Sequence, residues 1–335
     1  MNTNVAGQPK DGRTWKEVNK NHFDTIGKDV FQEKWVRDIH QQLINFFLGN
    51  REWVGIPAAA SFEAGTGIRV LDYACGNGVL SLALAPYAAH LRGVDISSAM
   101  VEMYNESAQA AGMSPERMSA VEADLSASAD ASLQTAAAGP DYEGFDLAFV
   151  SMALHHVEKP GDIIKGMAGR LAPGGKLLVI DIDLPEGAAG EAAFNGAHSH
   201  GRGQGQDHAH SHGHDHGHGH GHGHGHGQAH GEAPKTEAPA EECKCGRDHS
   251  TGEKLPPAPA PAPGPAPVLG ASEPANGAHT VVHHGFTRED MIQFFTDAGL
   301  VNGDLKLLPE RSPLPESAGG GSLHMFFAVA EKPRA

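Results

Sequence analysis

The chain has 335 residues, of which 39% are apolar and 20% charged, enough to bury one good core with an appendage. Its formal net charge of −16 argues against a general nucleic-acid-binding surface, which would need a basic patch. The three cysteines, Cys75, Cys243 and Cys245, form no disulfide framework and fit a reducing compartment. No signal-peptide core and no apolar run of about 18 residues is found, so we expect a cytoplasmic protein, with the nucleus as alternative, and no membrane partner.

Apolar periodicity predicts a helical segment near the start of the chain. Residues 1–13 are polar and are predicted to be a disordered tail. From Thr14 to Phe47 the pattern is helical, and apolar side chains recur at every fourth position from Phe31 to Phe47, which is typical of an amphipathic helix. A small-residue linker follows. We therefore assign residues 14–65 to a helical segment, packed on the domain, and its linker.

The stretch from Ile68 to Leu80, IRVLDYACGNGVL, predicts a strand, a glycine-rich turn and the start of a helix. Its first part is apolar and rich in β-branched residues, as in a buried strand. Gly76 and Gly78 follow, where a Cβ would hinder close approach of the backbone to a ligand. This arrangement is typical of sites that bind nucleotides and related cofactors.

Acidic residues follow the next two predicted strands. The strand Leu91–Asp95 ends in an acid, and an acid at such a strand end typically accepts hydrogen bonds from a ribose diol. The alternative for Asp95 is a solvated carboxylate in a turn. Asp124 follows the strand Ser119–Ala123 and also suits the N-cap of the helix after it.

Two histidines follow the fourth predicted strand, Phe145–Val150. His155 is expected where this strand opens onto the carboxyl edge of the sheet, the place where α/β proteins bind ligands. There it can act as a general base toward a hydroxyl, an amine or an activated carbon. The structural alternative is that His155 or His156 packs or hydrogen-bonds within the loop. The fifth strand, Lys176–Asp183, follows a Pro-Gly-Gly turn.

Residues 185–280 differ in composition from the rest of the chain. They contain a His/Gly alternation and Pro/Ala-rich tracts, which prevent helices and sheet ladders, so we predict a disordered insertion. Imidazole and thiolate suit zinc, nickel or copper, and a flexible chain would hold several such ions weakly; the alternative is repeat expansion in a tolerated loop. The candidate metal ligands are His212, His214, His216, His218, His220, His222, His224, His226, Cys243 and Cys245.

Residues 281–335 are predicted to complete the folded domain. Thr287 and Asp290 have the spacing of a capping box, which predicts that a helix begins there. Asp304–Leu308 and Leu323–Ala330 are predicted to be two final strands that form an antiparallel pair.

These motifs, in this order, resemble the class I S-adenosylmethionine-dependent methyltransferases of the small-molecule group. Asp72, Gly76 and Gly78 match the family's acidic residue followed by x-G-x-G-x-G, although Ala74 stands where the family usually has its first glycine. The resemblance implies an α/β fold, with the core beginning in residues 66–184. It also implies a Rossmann-like seven-stranded sheet in the order 3-2-1-4-5-7-6, with strand 7 antiparallel and helices on both faces.

The resemblance further implies roles for individual residues. The glycine turn would hold the methionine part of S-adenosylmethionine, and the adenine would lie against the residues after strand three. The N-terminal helical segment would be a lid, in which His22, Phe23 or Trp35 touches a ligand. The implied cofactor-binding residues are Asp72, Ala74, Cys75, Gly76, Asn77, Gly78, Asp95, Ile96, Asp124, Leu125 and Ser151, and His155 is the candidate catalytic residue.

The implied reaction transfers a methyl group to an oxygen, nitrogen or carbon of a small-molecule acceptor and leaves S-adenosylhomocysteine. Within the family, the sequence is most similar to the group that includes trans-aconitate and ubiquinone/menaquinone-biosynthesis enzymes. Two other functions remain open. One is a methyltransferase acting on a protein or RNA, with the insertion as a docking arm. The other is a metal-binding His-rich protein on a catalytically idle methyltransferase scaffold.

Overall fold

The computed structural model describes residues 11–56, 67–126, 131–184 and 278–334, together with Gly7, Pro9 and Ala129. All ten candidate metal ligands of the predicted insertion lie outside these residues, as does most of the predicted N-terminal tail. Thr280, which the sequence analysis assigned to the insertion, is described and fully buried.

After two N-terminal helices, strands and helices alternate in the described chain as far as β6, and three further strands follow it. The helices are α1 (Trp15–Val30), α2 (Lys34–Gly49), α3 (Val79–Leu84), α4 (Ser98–Ala110), α5 (Ala131–Ala136), α6 (Pro160–Arg170) and α7 (Arg288–Asp297). The strands are β1 (Ile68–Tyr73), β2 (Ala88–Asp95), β3 (Met118–Glu122), β4 (Phe145–Ser151), β5 (Leu171–Ile182), β6 (Val301–Leu307), β7 (Ser312–Pro313), β8 (Ser322–Leu323) and β9 (Met325–Glu331).

Seven of these strands form one sheet in the order β3-β2-β1-β4-β5-β9-β6. The first five are parallel, and β9 runs antiparallel between β5 and β6. Because β7 and β8 pair only with each other, β9 is the seventh strand of this sheet. The predicted order 3-2-1-4-5-7-6, with an antiparallel strand 7, is therefore confirmed.

Apolar side chains of the central strands alternate between two hydrophobic cores. In β4, Leu147 and Phe149 face the core that includes residues of α2, α3 and α4, whereas Ala148 and Val150 face the core under α6 and α7. This period of two is the geometry of an extended strand. A sheet covered on both faces leaves its strand ends as the accessible edge for a ligand.

The N-terminal pattern from Thr14 to Phe47 is two helices, not one. The backbone N–H groups of Gln32 and Glu33 donate to the carbonyls of Asp29 and Val30, and Glu33 is extended. The apolar repeat thus crosses a turn, which periodicity alone does not reveal. Capping is as predicted at Thr287, whose side chain forms a reciprocal capping box with Asp290.

Candidate active site

A cavity of about 560 Å³ lies at the carboxyl ends of the parallel strands. Its floor includes residues that follow β1, β2, β3 and β4, and its roof is formed by α1 and α2. A cleft at the carboxyl edge of an open α/β sheet is where such folds bind their ligands. The predicted site residues that line it are Asp72, Ala74, Cys75, Gly76, Asn77, Asp95, Ile96, Asp124, Ser151 and His155.

The turn after β1 is left-handed at three positions. Ala74, Gly76 and Gly78 have φ angles of +54°, +50° and +74°. A Cβ on Gly78 would lie 2.8 Å from Cδ2 of Tyr104, so this position needs glycine both for its backbone and for the close contact behind it. Ala74 adopts the same turn despite its Cβ, at a cost of about 1 kcal/mol.

Asp95 holds the glycine turn from the end of β2. Its Oδ2 accepts a hydrogen bond from the Gly76 N–H at 3.1 Å, and its Oδ1 accepts one from the Ser97 N–H at 3.0 Å. Burial raises the pKa of Asp95 to about 6, although these two backbone N–H groups act in the opposite direction. Each carboxylate oxygen keeps a second lone pair, so the group can also accept from two vicinal hydroxyls.

Asp72 lies deeper and already has a partner. Its Oδ2 accepts from the Ser81 hydroxyl at 2.7 Å. Burial, with the nearby Asp95 charge as a smaller cause, raises the pKa of Asp72 well above its ordinary value. The acid that opens the predicted motif therefore ties the turn to α3 while it lines the cavity.

Asp124 does not cap the next helix, because α5 begins only at Ala131. Its Oδ1 accepts from the Ser126 N–H at 2.8 Å and from the Tyr73 hydroxyl at 3.3 Å, and its Oδ2 lies 3.3 Å from Nζ of Lys16. Leu125 belongs to the core under α6 and α7 and is not among the residues that line the cavity.

The helix α1 is bound to the strand ends by a polar row that the sequence analysis missed. Lys20 Nζ donates to the Ile96 carbonyl and to Glu122, both at 2.9 Å. Asp24 Oδ1 accepts from the Ser97 hydroxyl at 2.6 Å. With Lys16 these residues have the four-residue spacing of one helix face, a signal that the sequence did contain. His22, Phe23 and Trp35 all line the cavity.

His155 forms a buried pair with Asp181 of β5. Its Nδ1 lies 2.7 Å from Asp181 Oδ1, and both side chains are almost fully buried. His155 was predicted from the sequence but Asp181 was not, although an acid near the end of a parallel strand is the same signal that identified Asp95. The sequence did not reveal that His155 and Asp181 pair with each other, because they belong to different segments of the chain.

His156 has a structural role beside this pair. Its Nδ1 lies 3.0 Å from the Thr280 carbonyl oxygen, and Asn19 Nδ2 donates to the carbonyls of both His156 and Thr280. Burial, and then the neighbouring His155, hold the pKa of His156 well below its usual value. His156 thereby ties the loop after β4 to α1 and to the chain that resumes at residue 278.

Two features bear on other expectations. Within residues 11–56, 67–126, 131–184 and 278–334, no group of three or more histidine, cysteine, aspartate or glutamate side chains could hold a metal ion. In that same part of the chain, none of the helices has both the length and the apolar character needed to cross a membrane.

Comparison with known proteins supports the class that this geometry suggests. Residues 64–213 match a family model described as a methyltransferase domain. An uncharacterized methyltransferase of Schizosaccharomyces pombe is 32% identical over 125 residues, which are 36% of this chain and 41% of that protein. A ubiquinone biosynthesis O-methyltransferase of Xylella fastidiosa is 33% identical over 119 residues, 35% of this chain and 43% of that protein.

Among solved structures, the [4+2]-cyclase SpnF aligns with 99% of this chain and all of its own chain, at 13% identity and a TM-score of 0.52, which is a likeness of fold alone. The chain spans about two fifths of the length of the curated relatives that it matches. Residues 64–213 are therefore similar to a methyltransferase domain, the kind of domain that the geometry of the cavity also suits.

Proposed function

We propose that the protein transfers the methyl group of S-adenosylmethionine to a small-molecule acceptor. The observation that carries the proposal is one cavity that joins the glycine turn, the Asp95 carboxylate and the His155–Asp181 pair. The sulfonium is already activated, so the protein has to align the nucleophile with the methyl group and to exclude water.

The residues present fit the cofactor, and each has a specific task. The backbone of the turn from Ala74 to Gly78, with Cys75 and Asn77 in it, holds the methionine part. Asp95 accepts hydrogen bonds from the ribose hydroxyls beside Ile96, and Asp124 accepts one from the adenine amino group. Asp72 supports the turn. Ser151, the last residue of β4, lines the same cavity. Leu125 supports this loop from the core and makes no proposed contact.

The enclosure of the site favours a small acceptor. About 560 Å³ is within the usual range for small-molecule and cofactor sites, and α1 and α2 cover it. The X. fastidiosa relative is named for O-methylation in ubiquinone biosynthesis, which is consistent with a small acceptor. The structural neighbour titled a cyclase illustrates that the fold alone does not define the reaction.

The test is a calorimetric titration of S-adenosylhomocysteine into the full chain. We expect binding by the wild type and at least a tenfold loss in Asp95→Ala, because the ribose hydroxyls lose their acceptor. Asp38→Ala is the matched control, since Asp38 is an exposed acid of α2 that pairs only with Lys34 in the described chain. No binding by a folded wild type would reject the proposal and favour the idle, metal-binding scaffold.

A second experiment, with a deletion variant, tests whether the acceptor is a macromolecule. Replacing residues 185–277 with a short Gly/Ser linker removes the proposed docking arm. A small-molecule enzyme keeps both its cofactor affinity and its turnover in this variant. Loss of turnover on a protein or RNA, with cofactor affinity intact, would instead support the docking-arm function.

A further inference from the structure

The hydrogen bond between His155 and Asp181 fixes which ring nitrogen carries the proton. An ionised carboxylate has acceptor atoms only, so Nδ1 of His155 donates to Asp181 Oδ1 at 2.7 Å. Neutral His155 then has its lone pair on Nε2. In the described part of the chain, no group hydrogen-bonds to Nε2, and His155 lines the cavity.

The orientation of the His155 ring is constrained on several sides. Its backbone N–H donates to Asp181 Oδ2 at 3.3 Å, and its carbonyl accepts from the N–H groups of Val282 and His283 at 2.8 and 2.9 Å. The His156 ring lies against it, with the ring centroids 4.1 Å apart. Asp181 is fully buried and also accepts from the Ile182 N–H at 2.8 Å. A base held in this way is preorganised toward one position.

A second histidine–aspartate pair shows what a purely structural pair looks like in this chain. His324 Nδ1 lies 3.0 Å from Asp183 Oδ2, but its Nε2 is also occupied, 3.0 Å from the Leu308 carbonyl oxygen. His324 does not line the cavity. His155 differs from His324 in two respects: in the described part of the chain its Nε2 has no hydrogen-bond partner, and it lines the cavity.

The part of the cavity contributed by α2, β5 and the chain around β7 and β8 is apolar. It is lined by Trp35, Ile39, Ile182, Leu314 and Leu323. The polar side chain that α2 contributes is His40, and burial lowers the pKa of this imidazole, which favours its neutral form. Charged acceptors would lose hydration there without a paired charge. An apolar molecule gains from the same surface.

The cofactor residues and the His155 pair occupy different parts of the same sheet edge. The glycine turn follows β1, Asp95 ends β2 and Asp124 follows β3. By contrast, His155 lies in the loop after β4, and Asp181 belongs to β5. This places a base on the side of the cavity opposite the ribose and adenine positions.

We infer that the acceptor is an apolar molecule whose nucleophile is a hydroxyl group and that His155 Nε2 receives the hydroxyl proton. This inference rests on the proposed function. As the oxygen forms its bond to the methyl carbon, the carbon–sulfur bond breaks and its electron pair stays on sulfur, giving S-adenosylhomocysteine, the methyl ether and protonated His155. Asp181 is a positioning residue that holds the donor proton on Nδ1.

The test compares two apolar probes of similar size, 2-naphthol and 2-methylnaphthalene, bound to the full chain saturated with S-adenosylhomocysteine and followed by probe fluorescence. We expect at least tenfold tighter binding of the naphthol, because only its hydroxyl donates to Nε2. The preference falls below about twofold in His155→Phe, as expected for loss of one good hydrogen bond. His324→Phe keeps the preference.

Asp181→Asn is expected to reduce the naphthol preference while the affinities for 2-methylnaphthalene and S-adenosylhomocysteine stay within twofold. A merely structural role for Asp181 would lower all three affinities together. His155→Leu replaces the Phe variant if that variant loses cofactor affinity through misfolding.

Each outcome decides between the proposals. Equal affinity for the two probes, or no binding of either to the cofactor-bound wild type, overturns the hydroxyl inference and leaves the proposed function intact. Failure of the wild type to bind S-adenosylhomocysteine rejects the proposed function, and the hydroxyl inference falls with it.

Discussion

At the scale of single residues, Asp95 shows how burial and hydrogen bonding oppose each other. Removal from water disfavours the charged form of the carboxylate, whereas hydrogen bonds from two backbone N–H groups favour it. The effect of burial is the larger, so the pKa of Asp95 rises to about 6. In the free protein, stability contributed by this group is therefore greatest below pH ~4 and falls as the pH rises toward 6. A ligand whose hydroxyl groups donate hydrogen bonds to the carboxylate favours the ionised form of Asp95 instead.

This gives a pH prediction for cofactor binding. We expect the affinity for S-adenosylhomocysteine to fall about tenfold between pH 7 and pH 5, because at pH 5 only about a tenth of Asp95 is ionised before binding. Calorimetry across this range measures the effect. Asp95→Asn, which cannot ionise, is the control. An equally steep decline in that variant would assign the pH effect to another group.

A second residue-scale prediction concerns Gly78. Gly78→Ala is expected to lower the free energy of unfolding by about 2–4 kcal/mol, through the left-handed backbone and the contact with Tyr104. Gly112→Ala is the matched control. Gly112 has a similar φ of +71° but open space where its Cβ would lie, so only about 1 kcal/mol is lost. Equal losses in urea unfolding would argue against the contact with Tyr104.

At the scale of elements, α1 both covers the cavity and attaches to the strand ends by polar contacts. One face supplies Lys16, Lys20 and Asp24 to the ends of β2 and β3. Another face supplies Asn19 to the loop after β4. Since Asp124 pairs with Lys16 and is also the proposed adenine contact, we expect cofactor binding and the position of α1 to be coupled.

Replacing one of these polar residues of α1 tests how much its contacts stabilise the helix. Asp24→Ala loses the hydrogen bonds from Ser97 and Ala99 and the ion pair with Lys20. Partial exposure limits the loss to about 1 kcal/mol, so amide-exchange protection in α1 should fall about fivefold. Asp38→Ala breaks an exposed pair on α2 and should leave it unchanged. Loss of protection throughout the sheet would mean that Asp24 stabilises the whole fold instead.

At the scale of the whole molecule, the composition predicts a His-rich insertion within the chain. We expect the variant with residues 185–277 replaced to keep its affinity for S-adenosylhomocysteine and to lose most of its binding of nickel or zinc, since the described residues offer no metal-binding group. Calorimetry with each ion measures this loss. Unchanged metal binding in this variant would show that the insertion is not the metal-binding segment.

Much of the fold followed from local patterns. The positions of the main strands along the chain, the turn after β1 and the capping box at Thr287 were all predicted, because strand period, glycine positions and capping spacings act over a few residues. The order of the strands in the sheet was predicted from the family resemblance. Other features were outside the reach of such patterns. The break between α1 and α2, the small β7–β8 pair and the burial of Leu125 depend on what each segment packs against.

The sequence by itself determined the α/β pattern of the core and the position of Asp72, Asp95, Asp124 and His155 near strand ends, because those positions are set by strand boundaries. Only the tertiary structure decided which of these groups share a cavity and which partners they have. The His155–Asp181 bond and the contacts of α1 with β2 and β3 join segments far apart in the chain. Such contacts arise from the packing of the sheet and its cover, which no local spacing encodes.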